Sequence, residues 1–318
     1  MKNFNAIYSE IQQTSLHIKT LYKKNLILKS IVSMIIIFII ILMICLLHIA
    51  FYTYIVFILG IILLFSFFYK FHLPSYRIAY KRDIISKMIA SYDSSFTYHS
   101  YSPITKDIYY EGEFDQEFNE FHAEDGIEGM IDNLYPFLMS EVETIKISTY
   151  TDSRGKTCRS KTTLFDGFFI KLSTDISLPC RIYIRKRYPF SNTFSSLSKN
   201  MSGRNINHSR MDKISMDDSE FEKLYYVETN NQMLTMQLLT ISVLRQILDF
   251  KKIYQLTPEF TFKENSIYIR FYIKGNIFEP PMFKSPLNYN RLKKEYKFIS
   301  SFMDICNDMI QAIHNLSF

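Results

Sequence analysis

From Ser30 to Tyr69 the chain runs 40 residues without an Asp, Glu, Lys or Arg. A bilayer core takes about 20 apolar residues per helix, so the run has room for two spans. Ser30–Leu47 and Phe51–Tyr69 are its natural halves, and His48 marks the break. Tyr52 and Tyr54 follow closely, as aromatic groups do at a membrane interface. A connection this short returns the second helix antiparallel to the first. The rival explanation, a cleaved export signal, lacks its small-residue site. In Leu42-Met43-Ile44-Cys45, Ile44 stands where a lipoprotein box needs a small residue.

The flanks set the orientation. Residues 1–29 carry Lys2, Lys19, Lys23, Lys24 and Lys29 against Glu10, and residues 70–87 carry Lys70, Arg77, Lys81, Arg82 and Lys87 against Asp83. Basic flanks stay on the cytoplasmic side, so the expectation is a plasma (inner) membrane protein with two spans and both termini cytoplasmic. Each flank is +4 while the whole chain is only +6, so residues 88–318 sum to −2. The excess positive charge therefore belongs beside the bilayer, where it attracts anionic headgroups, and not to a nucleic-acid surface. Cys158, Cys180 and Cys306 are widely spaced, with no C-x-x-C pattern, which fits a reducing compartment.

Periodicity divides the chain into four parts. Residues 1–29 place Phe4, Ile7, Ile11, Ile18, Leu21 and Tyr22 at helical spacing, an amphipathic helix. The hairpin fills 30–69, and a basic juxtamembrane helix occupies 70–91 after Pro74. Residues 92–318 form a cytosolic domain. Its strands are expected near Gly126–Ile131, Phe137–Tyr150, Thr162–Leu172, Pro179–Lys186, Phe221–Thr229 and Ile267–Lys274, with a turn at Ser153–Lys156. Leu234, Leu238, Ile241, Leu244 and Leu248 mark the buried stripe of one helix, and Leu292, Tyr296, Ile299, Met303 and Ile310 that of a terminal one. Ser191–Arg210 is polar and reads as an exposed loop. The fold class is α+β, an antiparallel-leaning sheet with helices packed on one face.

Several short motifs share an order with a known family. They are Asp125-Gly126-Ile127-Glu128-Gly129, Ser140-Glu141-Val142, Leu164-Phe165-Asp166-Gly167-Phe168-Phe169, Phe221-Glu222 with Tyr226-Val227, Asn231-Gln232, and Phe278-Glu279-Pro280. Following a two-helix hairpin, this series resembles the bacterial domain of unknown function 3137 over most of residues 80–316. The resemblance implies a short membrane anchor joined to a cytosolic domain, and it implies no activity. Two positions depart from the family pattern: Asn231 stands where an acidic residue precedes the Gln, and Ile241 where a Pro follows Leu-Thr.

No catalytic signature emerges. Asp166-Gly167-Phe168 lacks the Gly-rich loop, lysine and H-R-D motif of a kinase. Gly126-x-x-Gly129 is too short for a nucleotide loop. Between Glu111 and Glu128 lie eight carboxylates and no Lys or Arg. Such a run is usually a solvated face, but hard cations take oxygen ligands, and Glu124, Asp125 and Glu128 are the candidate metal ligands. The run of Arg181, Arg185, Lys186 and Arg187 reads either as an exposed strand face or as a contact for phosphate or lipid. The expectation is a membrane-anchored interaction or scaffold domain without catalytic residues or a cofactor. Its partners would be the lipid bilayer and either another copy or another membrane protein. The alternative is a cation-dependent ligand binder or enzyme using residues 111–128.

Overall fold

The structure is a computed structural model, and it describes residues 4–47, 55, 58–64, 74–115, 117–151, 155, 157–187, 211–273, 278–281 and 285–314. The Ser191–Arg210 loop, most of the Ser153–Lys156 turn and the break of the apolar run at His48 lie outside the described residues. The chain divides into two compact units: Met1–Ser91 with Ile277–Tyr296, and Tyr92–Asn276 with Lys297–Phe318.

The first unit is helical. Helix α1 spans Phe4–Thr14 and α2 spans Leu16–Leu47. At 1.5 Å per residue, α2 is about 48 Å long. It carries the amphipathic segment into the apolar run without a stop at residue 29. Phe4, Ile7, Ile11 and Ile18 are buried, as the stripe requires, whereas Met34, Ile35, Phe38 and Ile41 beyond it are exposed. Leu16–Leu42 is long and apolar enough to cross a membrane. In the second half of the run, residues 58–64 are helical. There Gly60 lies against Ile40, so close that a Cβ at 60 would collide with the Ile40 side chain.

The unit continues with α3 (Pro74–Tyr80), a π-helical turn (Lys81–Ile85) and α4 (Ser86–Tyr92). Tyr22 of α2 meets Tyr76 of α3 with ring centroids 5.9 Å apart. Phe4 and Tyr8 pack on Tyr289 at 5.4 and 5.0 Å, which ties the N-terminus to the start of the last helix, α9 (Tyr289–His314).

The second unit is an antiparallel sheet of β1 (Thr97–Tyr101), β2 (Glu120–Ile131), β3 (Tyr135–Thr151), β4 (Thr157–Lys186), β5 (Asp212–Ile214), β6 (Tyr225–Thr229) and β7 (Glu259–Tyr272). The order is β1-β2-β3-β4-β6-β5, with β7 also on β4. Thirty residues long, β4 pairs with β3 over Thr157–Leu172 and with β6 over Ile182–Lys186, while β7 follows it from Gly167 to Ile184. Two short neighbours thus succeed one another along one edge of β4, and β7 lines the other.

Residues 92–121, which have little periodicity, supply β1 and a six-residue helix, α5 (Lys106–Glu111). Thr105 caps α5 by accepting the Ile108 N–H at 3.3 Å. Two expectations are corrected by caps of this kind. Phe221–Thr229 is not one strand: Asp218 accepts the N–H groups of Glu220 and Phe221 at 2.9 and 3.0 Å, which starts a helix, α6 (Ser219–Leu224), before β6. The stripe from Leu234 to Leu248 belongs to two helices, α7 (Gln232–Leu238) and α8 (Ile241–Tyr254), which meet at a bend of 62°.

Adjacent strand residues face opposite ways, so Phe168 and Phe169 separate the two sides of the sheet. On one side Phe168 and Phe271 pack beneath Phe250 of α8 and Phe298 and Phe302 of α9, with Phe271–Phe302 at 5.0 Å. On the other, Phe169, Phe165, Val142 and Tyr268 form a core with Ile104, Tyr109 and Phe118. Helices on one face alone is therefore too simple: α5 and the chain after it cover the second face. The reason is chemical, since that face carries buried cations.

Candidate functional site

Four strand cations, Lys171, Arg185, Lys263 and Arg270, lie on or beside the α5 face of β4 and β7. Arg185 and Arg270 are buried. Desolvated cations need close countercharge and hydrogen bonds, and the acidic segment supplies them. Glu113 sits at φ 54°, in the left-handed region, where it turns the chain down onto the sheet. Glu111 then meets Lys171 at 2.5 Å and accepts from Tyr268 at 2.8 Å. Glu113 meets Lys263 at 2.8 Å and accepts from Tyr183. Asp115 pairs with Arg270 and accepts from Tyr109 at 2.9 Å. Phe114 fills the space between, its ring 4.3 Å from the Arg185 guanidinium and 4.7 Å from that of Arg270.

The network reaches inward to Glu259, which accepts from Arg270 at 2.8 Å and from the Lys186 backbone N–H at 3.0 Å. Burial pushes Glu259 up, but the charges of Arg270 and Arg185 outweigh it and hold its carboxyl below the usual range. For Glu111 and Glu113 burial is likewise the largest influence, and it is outweighed by hydrogen bonds from Lys171 with Tyr268 and from Lys263 with Tyr183. Both stay below the ordinary carboxylate value.

The sequence left Arg185 as either an exposed strand residue or a phosphate or lipid contact, and the structure buries it, with Arg270 beside it. Arg185 donates to the Phe260 carbonyl and, at 2.8 Å, to Thr261 Oγ1. Arg181 stands 3.9 Å from Glu113, and Arg187 pairs with Glu222 at 2.8 Å. The basic run is thus largely engaged within the fold.

The three candidate metal ligands lie in different settings. Glu124 is exposed. Asp125 is buried in a bulge of β2 and accepts from Tyr98. Glu128 lies 3.4 Å from His99. Among the described residues no group of three or more His, Cys, Asp or Glu side chains is arranged to hold a metal ion.

What Glu124 does join is a shallow groove of about 650 Å³ lined by Phe121, His122, Glu124, Glu141, Glu143 and Asp166, among others. Strand register builds it: His122 stands opposite Glu143, which stands opposite Asp166, and Glu124 stands opposite Glu141. Like charges directly across a ladder are destabilising. Partial burial, and then the charge of Glu143, raise the Asp166 carboxyl above its ordinary value. The groove can receive a cationic group or exchange a proton at Asp166. Among the described residues its lining includes no serine, cysteine or lysine.

The remaining family motifs have structural roles. In the first unit Glu279 of Phe278-Glu279-Pro280 is shared by Arg77 at 2.5 Å and Lys81 at 2.8 Å, while its carbonyl accepts from Arg291 at 2.7 Å. Gly167 lets β7 approach β4, because a Cβ there would collide with the Phe271 carbonyl. Asn231 and Ile241 stand at helix starts. Asn231 is the N-cap of α7, accepting from the Leu234 N–H at 3.2 Å, a task Asp performs equally well. Ile241 is the first residue of α8 after the cap Thr240, where Pro is favoured. Ile241 is exposed, and Thr240 at φ −60°, ψ 160° already has the extended backbone that precedes a proline. Ile241→Pro is therefore expected to stabilise the chain by about 0.4–1 kcal/mol, read as a higher urea midpoint with unchanged slope.

No curated protein matches the chain. Among solved structures, the mycobacterial trehalose monomycolate transport factor A, TtfA, aligns over 70% of this chain and 93% of its own, with 9% identity and a TM-score of 0.30. At that score the likeness carries no statement about fold or function. Residues 163–310 match the family model described as protein of unknown function (DUF3137). The match takes in the Leu164–Phe169, Phe221–Val227, Asn231-Gln232 and Phe278–Pro280 motifs, each now with a place in the fold, and it supports a domain of unknown function family 3137 over residues 163–310.

Proposed function

We propose that the chain is a membrane-anchored interaction or scaffold protein whose apolar run crosses the bilayer twice and whose termini both lie in the cytoplasm. The observation that carries the anchor is α2 itself. Its apolar stretch leaves Met34, Ile35, Phe38 and Ile41 open, large side chains that need a hydrocarbon surrounding. Support for a second crossing comes from Gly60 against Ile40. The two positions are each ten residues from Ala50, as an antiparallel return near His48 requires. Small residues at such contacts let membrane helices approach closely. Self-association or capture of another membrane protein is the role proposed for the tethered domain.

Two measurements test this reading. In a Cys45→Ser background, Ile40→Cys combined with Gly60→Cys is expected to form an intramolecular disulfide in membranes on mild oxidation. Either single variant is expected to form none. Failure of the pair to link would reject the hairpin. In-cell crosslinking and affinity purification then compare the full chain with one lacking residues 30–69. A specific partner or self-crosslink recovered only from the tethered form supports the scaffold role. Turnover of a substrate by either form would overturn it.

A further inference from the structure

The charge of the chain is segregated. The segments that make up the first unit, 1–91 and 277–296, hold 14 Lys or Arg against 4 Asp or Glu, whereas the whole chain is only +6. Because α2 is one continuous helix, it acts as a ruler from these charges to the apolar run. Lys24 and Lys23 precede Ser30 by six and seven residues, about 9 and 10.5 Å along the axis. The headgroup layer adds roughly 5–8 Å to each side of the hydrocarbon core, and a lysine stem can bring its ammonium up into that layer. Lys23 and Lys24 are exposed.

A second helix brings charge to the same level. The Tyr22–Tyr76 contact sets the start of α3 beside this turn of α2, and Arg77 follows directly. Arg77 meets Glu279 at 2.5 Å, and its side chain is 42% exposed. We infer that Lys23, Lys24 and Arg77 form a cationic collar at headgroup depth that selects anionic phospholipid around the anchor. The inference rests on the membrane anchoring proposed above and adds the lipid class.

The full chain, solubilised and equilibrated with an equimolar mixture of phosphatidylcholine and phosphatidylglycerol, is washed and its retained lipid counted by mass spectrometry. Each basic residue near the surface favours anionic lipid by about fivefold. The retained phosphatidylglycerol is therefore expected to exceed phosphatidylcholine by at least about that factor. Lys23→Gln and Lys24→Gln together should lower the ratio several-fold, while the two Lys→Arg changes should preserve it. A solution at 1 M salt, where the screening length is about 3 Å, should weaken the preference in the wild-type chain. Extraction of membranes with alkaline carbonate separates the two readings. A chain that resists extraction yet retains the lipids equally overturns the collar alone. A chain that carbonate removes overturns the anchor and the collar with it.

Discussion

Arg270→Met is expected to cost the detergent-solubilised full chain about 3–5 kcal/mol, because it breaks a buried ion pair from one side. Methionine keeps the length and apolar body of the side chain, so the loss reports charge and hydrogen bonding more than volume. Arg270 holds two carboxylates, Glu259 at 2.8 Å and Asp115. Glu259 is the costly one to strand, since its side chain is 6% exposed, against 20% for Asp115, which water can reach. Without Arg270, Glu259 keeps only the Lys186 N–H and the charge of Arg185. For a unit of this size, 3–5 kcal/mol corresponds to a fall of roughly 6–20 °C in melting temperature.

The companion variant decides the cause. Adding Glu259→Gln to Arg270→Met removes the stranded charge and is expected to restore more than half of the loss, a coupling that a double-mutant cycle measures directly. If the double variant is as unstable as the sum of the two singles, the loss comes from packing around Phe114 and Phe165 and not from the ionic network.

The part of the fold legible in the sequence is the part carried by local pattern. Forty residues without charge announce a helix long and apolar enough to cross a membrane, because composition alone sets the cost of placing them in water. The stripe from Leu292 to Ile310 announces α9, because helical spacing needs no knowledge of its partner. The caps at Asp218, Asn231 and Thr240 were equally local. Hydrophobic spacing alone merged the elements they divide, although an Asp, Asn or Thr just before a helical run is a start signal. The ionic network is different in kind. Arg270 and Asp115 are 155 residues apart, and Arg185 donates to Phe260 across 75. A charged residue in a strand is read as facing water unless its countercharge is known to arrive. Here the countercharge comes from an acidic stretch that, by itself, resembles a cation-binding or solvated surface. The groove was hidden for a similar reason, since Glu124, Glu143 and Asp166 meet only once three strands are in register.

The same network predicts acid sensitivity with a definite shape. Glu111, Glu113 and Glu259 have folded-state values below the unfolded-chain value of 4.5, so in the acid range the unfolded chain binds more protons. Their contribution is therefore complete above about pH 4.5 and drains away as the pH falls through the lower folded values. Asp166 and Asp308, raised by burial and then by the neighbouring Glu143 and Asp304, act in the opposite sense. Protonating them relieves repulsion, so stability rises slightly as the pH drops through their raised values. The melting temperature of the second unit is thus expected to be level or gently rising on going from pH 7 to about pH 5, then to fall steeply below about pH 4. Lys263→Met provides the internal control. It removes the 2.8 Å partner of Glu113, so its deficit relative to wild type should be largest near neutrality and should shrink in acid, where Glu113 is protonated in both chains. A deficit that stays constant from pH 7 to pH 3 would mean that Lys263 acts through its stem and not its charge, and the ionic account of residues 111–115 would have to be abandoned.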